Sequence, residues 1–247
     1  MKVVYTDVER YEQMRQAIGR FPFMEKAPGF SPNWLVIVCY GPSLLDTWRN
    51  IKPLDHSVMT VSGAHDFMID RGVNPTYHVD IDPRPHKPKM LRQPREQTSY
   101  RMASVCHPDF WEILKDHDVQ LWHLINDSET VEWVRQNHPE GLNSMIGGGS
   151  TVGQRAMNVG AALGFRKFKV FGMDCSYSME HHAGAHTNDT QPEILVDFNR
   201  RMFRSTPYLF EAAKEMAQFL LTMDVEVEFY GDGLMQEIAR AIKKGQR

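Results

Sequence analysis

Short runs of apolar and β-branched residues recur along this chain, and segments with helical periodicity lie between several of them. The runs are too continuously apolar to leave one face of a sheet in water, so each is typical of a strand buried on both faces. Such strands alternating with helices predict an α/β fold with a mainly parallel, Rossmann-like sheet and helices on both faces. The predicted strands are residues 35–40, 57–61, 77–81, 101–105, 120–125, 167–172 and 225–230.

The helix signals are clearest in the second half of the chain. Ser150 is a typical N-cap residue ahead of a segment whose apolar residues fall on one helical face, and Gly164 is placed to end that helix. A longer amphipathic helix is predicted over residues 207–223, and a short one over residues 235–244. Each of the first two helices leads into a predicted strand, as expected for parallel βαβ units.

With 247 residues the chain is long enough to bury a full core, and we expect a single domain. Its predicted parts are an N-terminal helical extension over residues 1–30, a core over residues 31–233 and a C-terminal helix over residues 234–247. The net charge of −3 supplies no broad basic field, which disfavours nucleic acid as a partner.

The cellular compartment is predicted from the apolar runs and the cysteines. No run approaches membrane-spanning length, and the amino terminus lacks the apolar core of a secretory signal. The three cysteines lie far apart without CxxC spacing, which argues against a disulfide framework and a zinc knuckle. We therefore expect a cytoplasmic protein that acts away from membranes. The sequence leaves a homo-oligomer open.

A glycine-proline-serine turn directly follows the first predicted strand. Gly41, Pro42 and Ser43 place a residue without a side chain at the bend, followed by amide and hydroxyl donors where a helix would begin. This geometry suits a phosphate or a ribose, although an ordinary turn with Ser43 as helix cap accounts for the same residues. Ser62 and Gly63 follow the next strand and are expected to wall the same crevice.

A run of glycines precedes the helix that Ser150 is predicted to cap. Gly148 and Gly149 allow a ligand to approach the backbone closely, while Ser150 and Thr151 can hydrogen-bond an anion at the positive end of the helix dipole. The run is not a P-loop, because no GKS or GKT follows, and it lacks the GxGxxG spacing of a dinucleotide fold. A flexible connection with a good cap is the alternative.

An acidic pair ends the third predicted strand. Asp80 and Asp82 are two residues apart, so on a continuing strand they share one face and can jointly hold Mg²⁺ or Mn²⁺ that neutralises a diphosphate. Without a metal, Asp82 can contact a ribose or a pyrimidine, and strand-end caps also show this spacing. Basic residues within 83–89, Arg84 and Lys87 among them, are placed either to hold phosphates or to form a solvated loop.

A histidine-rich loop follows the strand at residues 167–172. Asp174 and Tyr177 leave the end of that strand, and His181, His182 and His186 come after them. An imidazole in such a loop can accept a proton from an attacking hydroxyl near neutral pH. A zinc site lacks the accompanying cysteines or HExxH arrangement, and a purely structural role for the histidines stays open.

These motifs occur in an order that resembles a known superfamily. GPSL, DIDP, GGSTVGQRAMNVGAALGFRKFKVFGMDCSY and a following HA are similar to the MptE-like and Maf superfamily over roughly residues 36–186. That superfamily groups archaeal 6-hydroxymethylpterin diphosphokinases with Maf flagellin glycosyltransferases, and it is similar to bacterial sialyltransferases that use CMP-sugars. The resemblance implies a Rossmann-like transferase in which residues 41–43 and 148–151 cradle a nucleotide and a loop histidine acts as base.

The resemblance makes a sugar transferase the leading hypothesis. In the glycosyltransferase relatives an activated nonulosonic acid, such as sialic or pseudaminic acid, is passed to a hydroxyl. The expected partner is a nucleotide-sugar or a nucleotide, and the acceptor is not identified. An ATP-dependent diphosphokinase that uses the same carboxylates for Mg²⁺ is the alternative. A nucleotide-binding module without catalytic activity is a third hypothesis, from another functional class.

Overall fold

The computed structural model describes residues 6–184 and 192–245. Its main feature is an eight-stranded parallel sheet, with a separate antiparallel hairpin beside it. The strands of the main sheet are β1 (Ser31–Val38), β2 (Ser57–Val61), β3 (Tyr77–Asp80), β4 (Ser99–Ala103), β5 (Val119–Leu124), β6 (Met145–Ile146), β7 (Phe165–Phe171) and β10 (Glu226–Tyr230). The hairpin strands are β8 (Ile194–Phe198) and β9 (Arg201–Ser205).

Helices connect the strands and cover the sheet. The α-helices are α1 (Asp7–Ala17), α2 (Leu44–Thr47), α3 (Ala64–Ile69), α4 (Asp109–Ile113), α5 (Ser128–Asn137), α6 (Val152–Ala162), α7 (Pro207–Thr222) and α8 (Leu234–Gly245). Short 3₁₀ turns occupy Trp48–Asn50, Pro88–Met90 and Pro139–Ser144. Within the described ranges, no helix combines the length and the apolar composition that crossing a membrane requires.

The core explains why this sheet forms. Leu35 and Ile37 of β1 belong to one buried cluster, whereas Val36 and Val38 belong to a second cluster on the opposite face. Successive side chains of a strand point to opposite faces, so a continuously apolar strand is stable only when both faces are covered. The predicted α/β fold with a mainly parallel, Rossmann-like sheet is therefore confirmed, and every predicted strand overlaps an observed one.

The strand order places a crevice beside β1. The sheet runs β10-β7-β1-β2-β3-β4-β5-β6, so the chain builds outward from β1 through β6 and then returns to pair β7 with the other edge of β1. Crevices at such a reversal, outside the carboxyl ends of the strands, are the usual ligand sites of open α/β sheets. The turns that follow β1 and β7 consequently meet in space.

The N-cap of α6 differs from the prediction. Thr151, rather than Ser150, caps the helix: its side chain accepts a hydrogen bond from the backbone N–H of Gln154, and the Gln154 side chain accepts one from the N–H of Thr151. This reciprocal pair is a capping box, which requires a glutamine or glutamate three residues after the cap. Gly164 follows the helix with φ +93°, so the predicted end of the helix is confirmed.

The hairpin of β8 and β9 was not predicted from the sequence. Its two turn residues, Asn199 and Arg200, have φ of 55° and 61°. Positive φ at both central residues matches a type I′ turn, which normally carries asparagine followed by glycine. An arginine in the second position hides this signal. The consequence for the site is large, because the hairpin brings residues from 193 to 206 beside the histidine loop.

Candidate functional site

A cavity of about 460 Å³ opens at the carboxyl ends of β1, β2, β3 and β7, beside the first turn of α6. It gathers residues from six separate segments of the chain. The predicted site residues that line it are Gly41, Pro42, Ser62, Asp80, Asp82, Ser150, Thr151, Asp174, Tyr177, His181 and His182. The predicted residues Ser43, Gly63, Gly148 and Gly149 are not part of this lining. His186 falls outside the described residues.

The turn after β1 is joined tightly to the end of β7. The Gly41 N–H donates to the Gly172 carbonyl at 2.8 Å, and the Ser43 N–H donates to the Asp174 carboxylate at 2.8 Å. A Cβ added at Gly41 would lie 2.4 Å from the Gly172 oxygen. Glycine is therefore required here for the approach of two turns, and the predicted donors of Ser43 face Asp174 instead of a ligand.

Asp174 acts as the hub of this junction. It is 3% exposed, and it also accepts a hydrogen bond from the Gln236 side chain at 2.9 Å. Burial raises the pKa of Asp174, and the hydrogen bonds from Ser43 and Gln236 oppose that effect. Its side chain closes the floor of the cavity and links α8 to the ends of β1 and β7.

The start of α6 supplies the free backbone donors of the site. The N–H groups of Ser150 and Thr151 both donate to the Gln154 side chain, at 2.9 and 3.1 Å. The next two residues, Val152 and Gly153, line the cavity, and their N–H groups have no hydrogen-bond partner in the part of the chain that the structure describes. First-turn amides of a helix bind anions well, because they combine free donors with the positive end of the dipole.

The glycines ahead of α6 serve the loop rather than the cavity wall. Gly148 and Gly149 have φ of +80° and +83°, a region that other residues rarely adopt. The Gly148 carbonyl accepts from the Asn158 side chain at 3.0 Å, and the Gly149 carbonyl accepts from Arg155 at 2.7 Å. The carbonyls of both glycines thus bond to side chains of α6 itself, while the free N–H groups of Val152 and Gly153 come a few residues later.

The acidic pair lines the cavity, but its two side chains have different surroundings. Asp80 is 3% exposed, and one of its oxygens accepts from the N–H groups of Ile81 and Asp82 at 2.7 and 3.1 Å. Burial raises the pKa of Asp80 to about 6. For Asp82, burial favours the neutral form, but hydrogen bonds from Arg84 and the charge of Lys87 outweigh it and lower the pKa.

The donor set around this pair is a poor match for a divalent metal. Both oxygens of Asp82 bond to the Arg84 guanidinium, at 2.9 and 2.6 Å, and the Lys87 ammonium lies 3.6 Å away. Magnesium and manganese prefer several oxygen ligands without neighbouring cations. Over residues 6–184 and 192–245, no cluster of three or more histidine, cysteine or acidic side chains has the geometry of a metal site.

Another part of the cavity lining carries two histidines. His181 Nε2 lies 3.0 Å from a carboxylate oxygen of Glu193, and the His181 ring stacks on Tyr177 with ring centroids 4.2 Å apart. Arg204 donates to both Glu193 oxygens, at 2.9 and 3.0 Å, and holds that carboxylate in place. His182 stacks nearly parallel to Tyr40, with centroids 6.0 Å apart.

Sequence reasoning missed Glu193 and Arg204, which belong to the unpredicted hairpin. It also missed Tyr208, whose hydroxyl donates to the Ser150 carbonyl and so ties α7 to the loop before α6. Spacing along the chain gives no signal for these residues, because it is the hairpin register, with Leu195 opposite Arg204, that brings Glu193 within reach of the Arg204 side chain. A clue was available in Ile194, Val196 and Phe198, which place apolar residues at every second position, as in a half-exposed strand.

Comparison with known proteins agrees with this architecture. The fold is similar to the solved structure of a Maf glycosyltransferase from Magnetospirillum magneticum AMB-1, with a TM-score of 0.69 at 14% sequence identity. The match covers 96% of this chain and 41% of that one, so the chain spans about two fifths of the length of its structural neighbour. A comparison with curated protein sequences found no match.

The family model of 6-hydroxymethylpterin diphosphokinase MptE-like proteins matches residues 11–180. This match includes the turn after β1, the acidic pair and the start of α6, and it extends as far as the first residues of the histidine loop. It covers more than half of the chain and confirms the resemblance seen in the ordered motifs. The chain therefore belongs to the 6-hydroxymethylpterin diphosphokinase MptE-like family.

Proposed function

We propose that this protein transfers a sugar from a nucleotide-activated donor to a hydroxyl acceptor. The observation that carries the proposal is a single cavity with two chemically different walls. Val152, Gly153 and Arg84 supply the donors of the lining, here called the cationic wall, and His181 paired with Glu193 is here called the histidine wall. A transfer reaction needs these two functions at opposite ends of one reacting bond.

The cationic wall suits the phosphate of the donor. Helix-start amides and a guanidinium both bind phosphate oxygens, and a charge that grows on the leaving phosphate strengthens these contacts. Lys87 adds a second cation to this wall and is only 6% exposed. The leaving nucleotide would therefore be stabilised most as the bond between the sugar and the phosphate breaks.

The histidine wall suits the acceptor. When His181 donates its Nε2–H to Glu193, its Nδ1 keeps a lone pair that can accept a proton. In the proposed step the acceptor oxygen bonds to the anomeric carbon, the carbon–oxygen bond to the donor phosphate breaks, and the acceptor proton passes to His181. Glu193 stabilises the imidazolium that results. The nucleotide leaves with the electron pair of the broken bond.

The comparisons with known proteins support a transferase, and they leave two reaction classes as candidates, sugar transfer and pyrophosphate transfer. The structural neighbour is described as a glycosyltransferase, and its fold is shared over 96% of this chain. The family model carries the name of a diphosphokinase. A pyrophosphate transfer from ATP to a pterin alcohol is accordingly the second candidate, in which the cationic wall would hold the triphosphate.

Donor turnover separates the two candidates. Purified protein is incubated with CMP-, UDP- and GDP-sugars, and in parallel with ATP plus 6-hydroxymethylpterin, and release of free nucleotide is measured. Sugar-nucleotide turnover that is lost in His181→Ala and kept in His138→Ala supports the proposal. His138 is a suitable control, because its ring packs at a tilt against Trp133 and it does not line the cavity. Turnover of ATP with no sugar-nucleotide turnover would establish the diphosphokinase instead.

A further inference from the structure

We propose that Arg84, held on Asp82, is the permanent counter-cation for the donor phosphate, and that the acidic pair orients this arginine instead of holding a divalent metal. The inference rests on the proposed function for the presence of a phosphate. It concerns a separate property, namely which positive charge balances that phosphate. It also replaces the metal expectation that the spacing of Asp80 and Asp82 raised.

The contact between Asp82 and Arg84 is the first observation that supports this role for Arg84. Arg84 donates from Nε to one carboxylate oxygen at 2.9 Å and from Nη2 to the other at 2.6 Å, and its own backbone N–H donates to the first oxygen at 3.0 Å. This two-point contact fixes the plane of the guanidinium, which a single contact would leave free to rotate.

Arg84 retains capacity for a ligand while it is fixed in this way. A guanidinium carries five N–H donors, and the pairing with Asp82 uses two of them. The Arg84 side chain is 45% exposed and lines the cavity. Within the described ranges, no acceptor other than Asp82 is bonded to the Arg84 side chain. Its remaining donors are therefore free to meet the oxygens of a bound phosphate.

Lys87 adds to the positive charge on this wall. Its ammonium lies 3.6 Å from Asp82 and 3.4 Å from the Ser62 hydroxyl, on a side chain that is 7% exposed. Arg84 and Lys87 together balance the negative charges of Asp82 and Asp80, so the acidic pair already has two cations at close range. A metal ion entering here would displace the guanidinium from Asp82 and would face two cations at close range, which Coulomb repulsion opposes.

Asp80 has a structural use of its own in the turn that precedes Asp82. It accepts the N–H groups of Ile81 and Asp82, and these bonds fix the turn that presents Asp82 to Arg84. Burial raises the pKa of Asp80 to about 6, and the positive charge of Lys87 opposes that effect by favouring the ionised carboxylate. Asp80 thus stabilises the turn, and Asp82 binds the Arg84 guanidinium.

The experiment measures, by titration calorimetry, the binding of CMP, UDP, GDP, ATP and inorganic pyrophosphate. Each ligand is titrated once in EDTA and once in about 5–10 mM Mg²⁺, a concentration on the order of those that saturate weak magnesium sites. We expect the affinity of the best ligand in EDTA to match that in Mg²⁺. Arg84→Gln removes charge-assisted bonds and is expected to weaken binding about tenfold to a hundredfold. Arg49→Gln is the matched control, because Arg49 lies on Trp48 away from this cavity.

The outcomes separate this inference from the proposed function. If nucleotide binding requires Mg²⁺ and is lost in Asp82→Asn, the inference about Arg84 is overturned. The proposed function, which needs only that a nucleotide binds, is not affected by that result. Unchanged affinity of Arg84→Gln in EDTA, with the variant shown to be folded by circular dichroism, would also overturn it. A protein that binds none of these ligands, with or without Mg²⁺, would remove both proposals. Metal-free binding that depends on Arg84 and not on Arg49 supports the inference.

Discussion

The Asp174 carboxylate accepts hydrogen bonds from both the backbone N–H and the hydroxyl of Ser43, although the two residues lie 131 positions apart in the chain. This pairing joins the turn after β1 to the turn after β7. Those strands are neighbours only because the chain returns to the edge of β1 after building β6. The junction therefore depends on the reversal of strand order that also creates the cavity.

Replacing Asp174 tests this junction. In Asp174→Ala the N–H and the hydroxyl of Ser43 lose their buried acceptor, which we expect to lower the free energy of unfolding by about 1–3 kcal/mol for each orphaned donor. Urea unfolding followed by circular dichroism measures the change. Asp197→Ala, at an exposed position of β8, is the control and should stay within about 0.5 kcal/mol of the parent. Equal stability of both variants would contradict the hub role.

The raised pKa of Asp80 predicts how stability depends on pH. Burial raises this pKa from 3.8 to about 6, so the folded state binds the proton more tightly than the unfolded state does. The contribution of Asp80 to stability is therefore present below about pH 4 and is lost as pH rises through about 6, by up to about 3 kcal/mol.

Asp80→Asn isolates this contribution, because asparagine keeps the acceptor oxygen and cannot ionise. Urea unfolding of both proteins at pH 4.5 and pH 7 should show the variant gaining stability relative to the parent as pH rises. The difference between the two proteins removes the contributions of all other titrating groups. A parent protein that gains on the variant between those pH values would mean that the pKa of Asp80 is lowered instead.

The pairing of His181 with Glu193 predicts that substitutions of these two residues lower kcat and leave KM nearly unchanged. Once a donor substrate has been found, His181→Ala should lower kcat by about 10²–10⁴-fold with little change in KM, because the base acts in the transition state. Glu193→Gln should lower kcat less, by up to about a hundredfold, through loss of orientation. Glu180→Gln, at an exposed neighbouring position, should leave both constants unchanged.

Gly153 is predicted to tolerate no side chain. A Cβ at this position would lie 2.8 Å from Cys39 Sγ and 2.8 Å from Met173 Cε, both on buried residues. We expect Gly153→Ala to lower the free energy of unfolding by about 1–3 kcal/mol through overpacking. Gly29→Ala provides the contrast, since a Cβ there meets nothing within 4 Å. Thermal melts of the two variants should differ accordingly, and similar melting temperatures would refute the packing argument.

The cap of α6 distinguishes two adjacent hydroxyl residues. Thr151→Ala removes the side chain that accepts the Gln154 N–H and should cost about 1 kcal/mol of stability. Ser150→Ala should cost less, because the Ser150 hydroxyl is buried and has no partner in the described part of the chain. Urea titration of both variants gives the comparison. A larger loss for Ser150→Ala would restore Ser150 as the cap.

Local sequence patterns determined the strands, the main helices and the general location of the cavity. The continuous apolar run of β1 requires that both faces of its sheet are covered, and the apolar faces of α6 and α7 require burial against a sheet face. Both follow because apolar side chains are more stable out of water, whatever the rest of the chain does. The ordered motifs also located most of the cavity lining. These features depend on neighbours within a few residues, which a sequence displays directly.

Tertiary structure decided which partner each polar group has. Ser43 and Arg84 both offer donors suited to a phosphate, yet Ser43 bonds to Asp174 across the junction, whereas Arg84 keeps free donors toward the cavity. Glu193 reaches His181 only through the pairing of β8 with β9. Hydrogen bonds act over about 3 Å. Their partners therefore follow from strand order and hairpin register, which arise from contacts between distant parts of the chain.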